Sequence, residues 1–190
     1  MGANNAFCCW FTGLSGSGKT TLAKELVKTI KALGIPVVFL DGDQLREGLN
    51  SNLDFTLESR IENNRRAAEV AKIMLRSGIY VVASFISPTR EIRDLVKTII
   101  GSERYVEIFV DTSLGTCIRR DNKGLYKKAL KGEIELFTGI HMPFEVPEAS
   151  DLRIDMTFLN LFTANEVVLN FWQKKKATFD KSTSVEKTSL

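Results

Sequence analysis

The sequence predicts an α/β fold in which a mainly parallel sheet carries helices on both faces. Short β-favouring runs alternate with longer helical patterns along the chain, which is typical of parallel sheets built from strand–helix–strand units. The first three apolar runs contain no charged residue, so we expect both faces of their strands to be covered. The 190 residues are enough for one such domain and too few for two ordinary ones.

The alternating pattern places the elements in a definite order along the chain. Strands are expected at 6–12, 36–40, 79–85, 105–110 and 152–156, and helices at 19–33, 44–49, 58–77, 88–100, 114–120 and 164–175. A lysine-rich stretch inside 119–145 predicts a mobile lid. Residues 1–177 are expected to form a single domain. The polar residues 178–190, which are poor in apolar side chains, predict a disordered tail.

The composition excludes several classes of protein. Hydrophobic residues make up 44% and charged residues 26%, and the net charge is only +3, so neither a nucleic acid polymer nor a membrane surface is indicated as a partner. Cys8, Cys9 and Cys117 have no zinc-site spacing, and their odd number argues against a disulfide framework. We interpret them as buried thiols in a reducing compartment. With no signal-peptide pattern and no apolar run near the roughly 20 residues that span a bilayer, a cytoplasmic protein is expected.

A glycine-rich turn after the first apolar run carries the most specific short motif. It fits the pattern G-x-x-x-x-G-K-[ST] in full, over Gly13, Leu14, Ser15, Gly16, Ser17, Gly18, Lys19 and Thr20. The glycines let backbone N–H groups point at phosphate oxygens, and the following helix adds its positive end. Lys19 would reach the β- and γ-phosphates of ATP, and the Thr20 hydroxyl would bind Mg²⁺. The motif therefore predicts a P-loop NTPase fold of three layers.

A phosphate-binding loop does not by itself name a reaction. It occurs in GTPase switches, motors and small-molecule kinases, but the chain has no guanine-reading N-K-x-D motif and its length suits a compact kinase. Asp41 and Asp43 follow the second strand, at the sheet edge where ligands bind. A carboxylate there can bind Mg²⁺ or accept the proton of an attacking hydroxyl, and we favour Asp43 for both roles. Asp41 is equally well explained by a structural role in the turn.

Cationic and amide side chains follow on the next two helical segments. Arg46 lies three residues after Asp43, so both should face the same way. Arg60 and Asn63 are also three apart and could share a face. Because guanidinium groups suit phosphate and sulfate oxygens, these residues predict a second anion site beside the first.

Several longer motifs occur together in one order. They are Gly13–Thr21, Asp41-Gly42-Asp43 with Arg46, 60–66 (RIENNRR), 84–88 (SFISP), 123–129 (KGLYKKA) and 137–140 (FTGI). This set resembles the adenylyl-sulfate (APS) kinases, and the resemblance covers roughly residues 8–150. Several of these motifs are more specific than the phosphate-binding loop alone.

The resemblance implies a role for individual residues. Phe55 and Phe137 would sandwich the base of the acceptor nucleotide. Its sulfo-phosphate would be bound by Arg46, Arg60 and Asn63, and by the backbone of Ile86 and Ser87. Thr21 and Arg120 would complete the ATP site, and Lys123 would approach the transferring phosphates from the lid. Because in-line transfer needs no covalent intermediate, we expect Ser87 to bind substrate and not to accept phosphate.

The implied reaction is transfer of the ATP γ-phosphoryl group to the 3′-hydroxyl of APS, which gives 3′-phospho-adenylyl sulfate (PAPS). Asp43 would assist the hydroxyl, and Lys19, Lys123 and Mg²⁺ would stabilise the transferring group. Mg²⁺ would be held by Thr20 and Asp43. Members of the family lead us to expect a homodimer.

The chain also departs from the family pattern near the acceptor and the lid. Asp54 replaces a usual Gly, Ser59 a usual Asp, Thr89 a usual Tyr and His141 a usual Asp. A related kinase acting on another nucleotide conjugate, such as a cytidine-diphosphate derivative used for surface polysaccharides, would carry much the same motifs. The sequence also leaves open a kinase of the shikimate or gluconate type and a non-catalytic regulator that binds nucleotide.

Overall fold

The computed structural model, which describes residues 5–186, has a parallel sheet of five strands. The strands are β1 (Cys8–Thr12), β2 (Val37–Asp41), β3 (Tyr80–Ser84), β4 (Tyr105–Asp111) and β5 (Leu152–Asp155), in the order β2-β3-β1-β4-β5. Every neighbouring pair is parallel. The predicted strands are therefore confirmed, with bounds that move by at most about two residues, as is usual for element ends.

The helices lie on both faces of this sheet. They are α1 (Lys19–Ala32), α2 (Gly42–Arg46), α3 (Leu57–Arg76), α4 (Arg90–Ile100), α5 (Leu114–Arg120), α6 (Leu125–Leu130) and α7 (Leu161–Glu186). The chain crosses from β1 to β2 in one direction along the sheet and from β2 through β3 to β4 in the other. Because such crossovers are right-handed, α1 lies on one face and α3 and α4 on the other. The helix contacts agree, since α1 packs on α7 and α3 packs on α4. The predicted layered α/β fold is confirmed.

The core is centred on β1, whose five residues are all buried. Trp10 is fully buried and stacks on Phe85, with ring centroids 4.6 Å apart. Cys8 and Cys9 point to opposite faces of the strand and are buried on both, as a strand covered on two sides requires. Burial raises the pKa of both thiols, which keeps them protonated.

The register of the central strands positions the polar residues at the carboxyl edge. Asp41 at the end of β2 pairs in register with Ser84 at the end of β3. Phe11 on β1 is the register partner of Ser84 on the other side, and the glycine-rich loop begins two residues later. The loop, a carboxylate and a hydroxyl therefore meet at one point of the sheet edge.

The sequence predicted a disordered tail over residues 178–190, and the structure describes part of this segment as helix. The structure continues α7 through Glu186, and residues 187–190 lie outside the described chain. The Phe179 ring stacks on Phe7 at 4.7 Å between centroids, and the Asp180 carboxylate accepts a hydrogen bond from Asn5 at 3.1 Å. The polar composition of the segment hid a single aromatic side chain that extends the packed face of the helix.

Within the described residues, no helix is both long enough and apolar enough to cross a membrane.

The contact between Phe179 and Phe7 predicts that the last turns of α7 contribute to stability. Replacing Phe179 with Ala should lower the free energy of unfolding by about 1–3 kcal/mol, because the ring is partly buried against Phe7, the residue before β1. Urea denaturation followed by circular dichroism would measure the change. Lys181→Ala, two residues along the helix at an exposed position, is the matched control and should have little effect. If the two variants had the same free energy of unfolding, the packing of Phe179 on Phe7 would make no contribution to stability.

Candidate active site

The phosphate-binding loop is shaped by glycines at positions where a side chain would not fit. Gly13 has φ 147°, and a Cβ there would lie 2.5 Å from the carbonyl oxygen of Val110. Gly18, the residue before α1, has the left-handed φ of 106°. Glycine is the residue that adopts both backbones without strain. The loop therefore lies close against the end of β4, and the first turn of α1 points its N–H groups into the loop.

Lys19 is buried beneath this loop. Its Nζ donates to the Leu14 carbonyl at 2.6 Å and contacts the Ser17 hydroxyl at 3.5 Å. Burial lowers the pKa of Lys19 to about 8, because the ammonium loses its hydration there. A phosphate at the loop would supply the negative charge that this environment lacks.

Thr20 lies at the point where the sheet edge brings oxygen atoms together. Its hydroxyl donates to Asp41 Oδ2 at 3.0 Å and lies 3.1 Å from the Ser84 hydroxyl. Asp41 Oδ1 also accepts from the backbone of Asp43 and Gln44, so this residue caps α2 as well. The structural role that the sequence suggested for Asp41 is present, together with a direct contact to Thr20.

The donor set at Thr20 fits Mg²⁺. Hydroxyl and carboxylate oxygens are its preferred protein ligands, and it usually keeps several waters and phosphate oxygens besides. The described part of the chain holds no group of three or more His, Cys, Asp or Glu placed to hold a metal by themselves. A Mg²⁺ site that is shared with phosphates needs few protein ligands, because phosphate oxygens and waters supply the others. The sequence assigned the carboxylate role to Asp43, but Asp41 is the aspartate that contacts Thr20.

Asp43 and Lys123 form an ion pair across the mouth of the site. The Lys123 Nζ lies 2.5 Å from Asp43 Oδ2, and both side chains are largely exposed. The hydrogen bond to Asp43 raises the pKa of Lys123. The two groups that the sequence predicted to act on the transferring phosphoryl group are therefore brought together.

Arg46 and Arg60 are arranged around Phe55. Arg46 donates to the carbonyls of Leu53 and Asp54 at 2.9 and 2.6 Å, and its guanidinium lies 4.6 Å from the Phe55 ring centroid. Arg60 is buried and donates to the Phe55 carbonyl at 3.0 Å. The Phe55 ring itself is 54% exposed, which leaves it free to stack on a ligand.

The Ser87 hydroxyl is fully engaged inside the protein. It accepts from Trp10 Nε1 at 2.9 Å and donates to Asn64 Oδ1 at 2.7 Å, and the residue is completely buried. The Asn64 amide is fixed in turn, because its Nδ2 donates to the Arg60 carbonyl at 2.8 Å. The Ser87 hydroxyl proton is thus donated inside the protein and not to the cleft, which agrees with a residue that would bind substrate through its backbone.

These residues surround one cleft of about 230 Å³. Its lining joins the two predicted anion sites and includes the following predicted residues: Ser15, Gly16, Gly18, Lys19, Thr20, Thr21, Asp43, Arg46, Phe55, Arg60, Asn63, Ile86, Ser87 and Lys123. Asp41, Ser84 and Tyr126 line it too. The two groups of residues that the sequence predicted therefore line one continuous cleft.

Phe137 and Arg120 do not line this cleft. The Phe137 ring is 8% exposed and packs edge-on against Tyr126 with centroids 4.9 Å apart. Arg120 donates to the Met156 carbonyl at 2.8 Å. Both residues lie in or beside the lid, so their predicted contacts with nucleotide bases would need this part of the chain to move.

Side-chain contacts near the cleft hold the lid to the body of the protein. Lys123 pairs with Asp43, the Tyr126 hydroxyl donates to the Ser15 carbonyl at 2.9 Å, and Arg60 donates to the Leu136 carbonyl at 3.1 Å. Tyr126 was missed by the sequence analysis. Its position one residue inside α6, in the 123–129 motif, was the signal that could have found it.

The departures from the family pattern lie outside the cleft. Hydrogen bonds from Ser59 and Thr56 lower the pKa of Asp54 to about 2, so two of the departures contact each other at the start of α3. The Thr89 hydroxyl caps α4 by accepting from the Ile92 N–H at 3.3 Å. His141 Nδ1 accepts from the Phe137 N–H at 3.4 Å. Each departure has a local structural role in the described chain.

Comparison with known proteins places this site in a family. The family model for adenylylsulphate kinase matches residues 5–155. The adenylyl-sulfate kinase of Bacteroides thetaiotaomicron is 52% identical over 152 residues, which are 80% of this chain and 76% of that protein. The adenylyl-sulfate kinase of Clostridium kluyveri is 48% identical over 164 residues, 86% of this chain and 80% of that one.

A solved structure agrees with the sequence relatives. The APS kinase CysC of Mycobacterium tuberculosis, in complex with AMPPNP and APS, superposes with a TM-score of 0.84 at 39% identity and covers 88% of this chain and 98% of its own. The matched region contains the whole cleft, from the phosphate-binding loop to the lid. This chain belongs to the adenylyl-sulfate kinase family.

Proposed function

We propose that this protein is an ATP-dependent kinase that transfers the γ-phosphoryl group of ATP to the 3′-hydroxyl of adenylyl sulfate, giving PAPS. The reaction serves sulfate assimilation or sulfation. The observation that carries the proposal is the position of the departures from the family pattern. Asp54, Ser59, Thr89 and His141 all lie outside the cleft, while Arg46, Arg60, Asn63 and Phe55 line it. The surface that meets the acceptor is therefore the one that the family pattern describes.

ATP binds with its phosphates in the loop between β1 and α1. The loop N–H groups and the first turn of α1 hold the phosphate oxygens, and Lys19 neutralises the β- and γ-phosphates. Thr20, with Asp41 or Asp43, would hold Mg²⁺, and its charge would further neutralise the phosphate oxygens. Thr21 and, after movement of the lid, Arg120 complete the site.

The acceptor lies at the other end of the cleft. Arg46, Arg60 and Asn63 bind its sulfo-phosphate, with the backbone of Ile86 and Ser87 alongside. Its base stacks on the exposed face of the Phe55 ring. The Arg46 guanidinium lies against the Phe55 ring and fixes the orientation of that ring. Phe137 would reach the base from the lid once its ring leaves the cluster with Tyr126.

Transfer takes place where the two halves meet. Asp43 accepts the proton of the 3′-hydroxyl or orients it toward the γ-phosphorus. Lys123 leaves its ion pair with Asp43 and moves onto the transferring oxygens, where its charge stabilises the transition state. The lid, residues 119–145, excludes water from the cleft during this step.

The buried free thiols favour a reducing compartment, and we expect the enzyme in the cytoplasm. The family resemblance leads us to expect a homodimer, which light scattering after size-exclusion chromatography would test.

A coupled ADP-release assay on APS, on a cytidine-diphosphate conjugate and without acceptor tests the function. We expect turnover on APS, and a loss of about 10²–10⁴-fold in kcat for Asp43→Ala, since general-base catalysis is worth that much. Glu47→Ala, an exposed carboxylate just beyond α2, is the matched control. Turnover on the cytidine conjugate with APS inert would assign a different acceptor. Nucleotide binding without turnover on any acceptor would indicate the regulator.

The lowered pKa of Lys19 predicts how ATP affinity depends on pH. In the free protein Lys19 is protonated below its pKa of about 8 and loses its proton above it, whereas bound phosphates favour the ammonium. Affinity should therefore be full below this pKa and fall as the pH rises through it. Calorimetry above the pKa, in buffers of different ionisation enthalpy, should show proton uptake on ATP binding. The same titrations of Lys19→Arg should show no uptake, and an affinity in the wild type that does not change with pH would contradict the assignment.

The engaged hydroxyl of Ser87 predicts that no phosphoserine forms there. Intact-mass spectra after incubation with ATP, with and without APS, should show unmodified protein. Ser87→Ala should lower the free energy of unfolding by about 1–3 kcal/mol, because Trp10 Nε1 and Asn64 Oδ1 would each lose a buried partner. A phosphorylated species that disappears in Ser87→Ala would overturn this prediction.

A further inference from the structure

Asn63 lines the acceptor end of the cleft with an amide group whose two ends are chemically opposite. The Nδ2 end can donate to an anion, while the Oδ1 end would repel one. Which end faces the cleft is therefore decisive for binding a sulfo-phosphate. The contacts behind Asn63 determine this orientation.

A chain of hydrogen bonds begins at Glu62 on α3. Its Oε1 accepts from Arg66 Nε at 2.7 Å, which fixes the guanidinium. Arg66 Nη1 also donates to the Leu49 carbonyl at 3.2 Å and to Asn52 Oδ1 at 2.8 Å. Because an arginine can donate hydrogen bonds but cannot accept them, every group facing Arg66 must present an oxygen.

This requirement fixes the amide of Asn50, which is completely buried. The Arg66 Nη1 lies 3.4 Å from Asn50 Oδ1, so the oxygen of Asn50 faces the arginine and its Nδ2 faces the other way. That Nδ2 donates to Asn63 Oδ1 at 2.7 Å. The Asn50 backbone is held as well, since its N–H donates to the Leu45 carbonyl at 2.8 Å.

We infer that Asn50 is a positioning residue that turns the Asn63 amide so that its Nδ2 donor faces the acceptor's anionic group. Asn63 Oδ1 is occupied by Asn50, and its Nδ2 makes no hydrogen bond within the described chain. A donor presented in this way completes the cationic wall formed by Arg46 and Arg60. The inference rests on the proposed function, because the anion is the sulfo-phosphate of APS. Asn50 itself does not line the cleft.

Asn50→Asp tests the orientation with the least change in shape. The new carboxylate keeps a partner in Arg66 but presents an oxygen to Asn63, so the Asn63 amide turns over and places Oδ1 in the cleft. We expect the KM and the Kd for APS to rise about 10-fold or more, because a charge-assisted hydrogen bond is exchanged for a repulsive contact. The KM for ATP and the melting temperature should change little. Asn50→Ala, which leaves Asn63 free to rotate, should give a smaller rise and serves if Asn50→Asp does not fold.

Asn52→Asp is the matched control. Asn52 accepts from the same Arg66 nitrogen and lies two residues along, so the variant adds the same charge near the same partner without touching Asn63. Its KM for APS should match the wild type. A double-mutant cycle separates orientation from general electrostatics: in an Asn63→Ala background, Asn50→Asp should produce no further rise in the KM for APS.

The outcomes distinguish the inference from the function beneath it. Turnover of APS by the wild type, with equal KM values in Asn50→Asp and Asn52→Asp, would overturn the inference alone. So would a rise from Asn50→Asp that persists in full when Asn63 is alanine. An inert wild type, with APS neither bound nor phosphorylated, would overturn the proposed function and the inference together.

Discussion

The parallel register of three strands is the constraint on which the site depends. Because β1, β2 and β3 end at the same edge, the loop after β1, Asp41 after β2 and Ser84 at the end of β3 meet at the hydroxyl of Thr20. A shift of one residue in β2 would turn Asp41 to the other face of the sheet. The fully buried strands β1 and β3 hold the register with a continuous apolar core on which the half-buried β2 packs, so the chemistry at the edge is fixed by packing beneath it.

The acceptor side is organised by hydrogen bonds more than by packing. Arg46 and Arg60 each donate two hydrogen bonds to backbone carbonyls, which fixes both guanidinium groups before any ligand arrives and leaves further N–H donors for an anion. Asn63 and Asn64 are adjacent in sequence, yet each is oriented by a different neighbour, Asn50 in one case and Ser87 with the Arg60 carbonyl in the other. Fixed donors lose little entropy on binding, so the cleft is preorganised for an anion.

The sequence predicted the fold and most of the cleft because those features follow from local rules. Apolar runs predict strands, and the glycine-rich motif fixes where the phosphates bind. The contact of Asp41 with Thr20 could not be predicted, since it depends on which strands are neighbours. The orientation chain through Asn50 joins residues that are 13 and 16 positions apart. The helical end of α7 was not predicted, because composition averages over a segment, whereas a single aromatic ring, Phe179, packs it on Phe7.

The contacts that join the end of α7 to the residues before β1 also determine on which side of the domain this part of the chain lies. Asn5 and Asp180 are hydrogen bonded, so the first described residue lies close to a late turn of α7, at the amino edge of the sheet. The cleft lies at the opposite, carboxyl edge. A group attached near Asn5 or near Asp180 would therefore lie on the far side of the domain from the cleft.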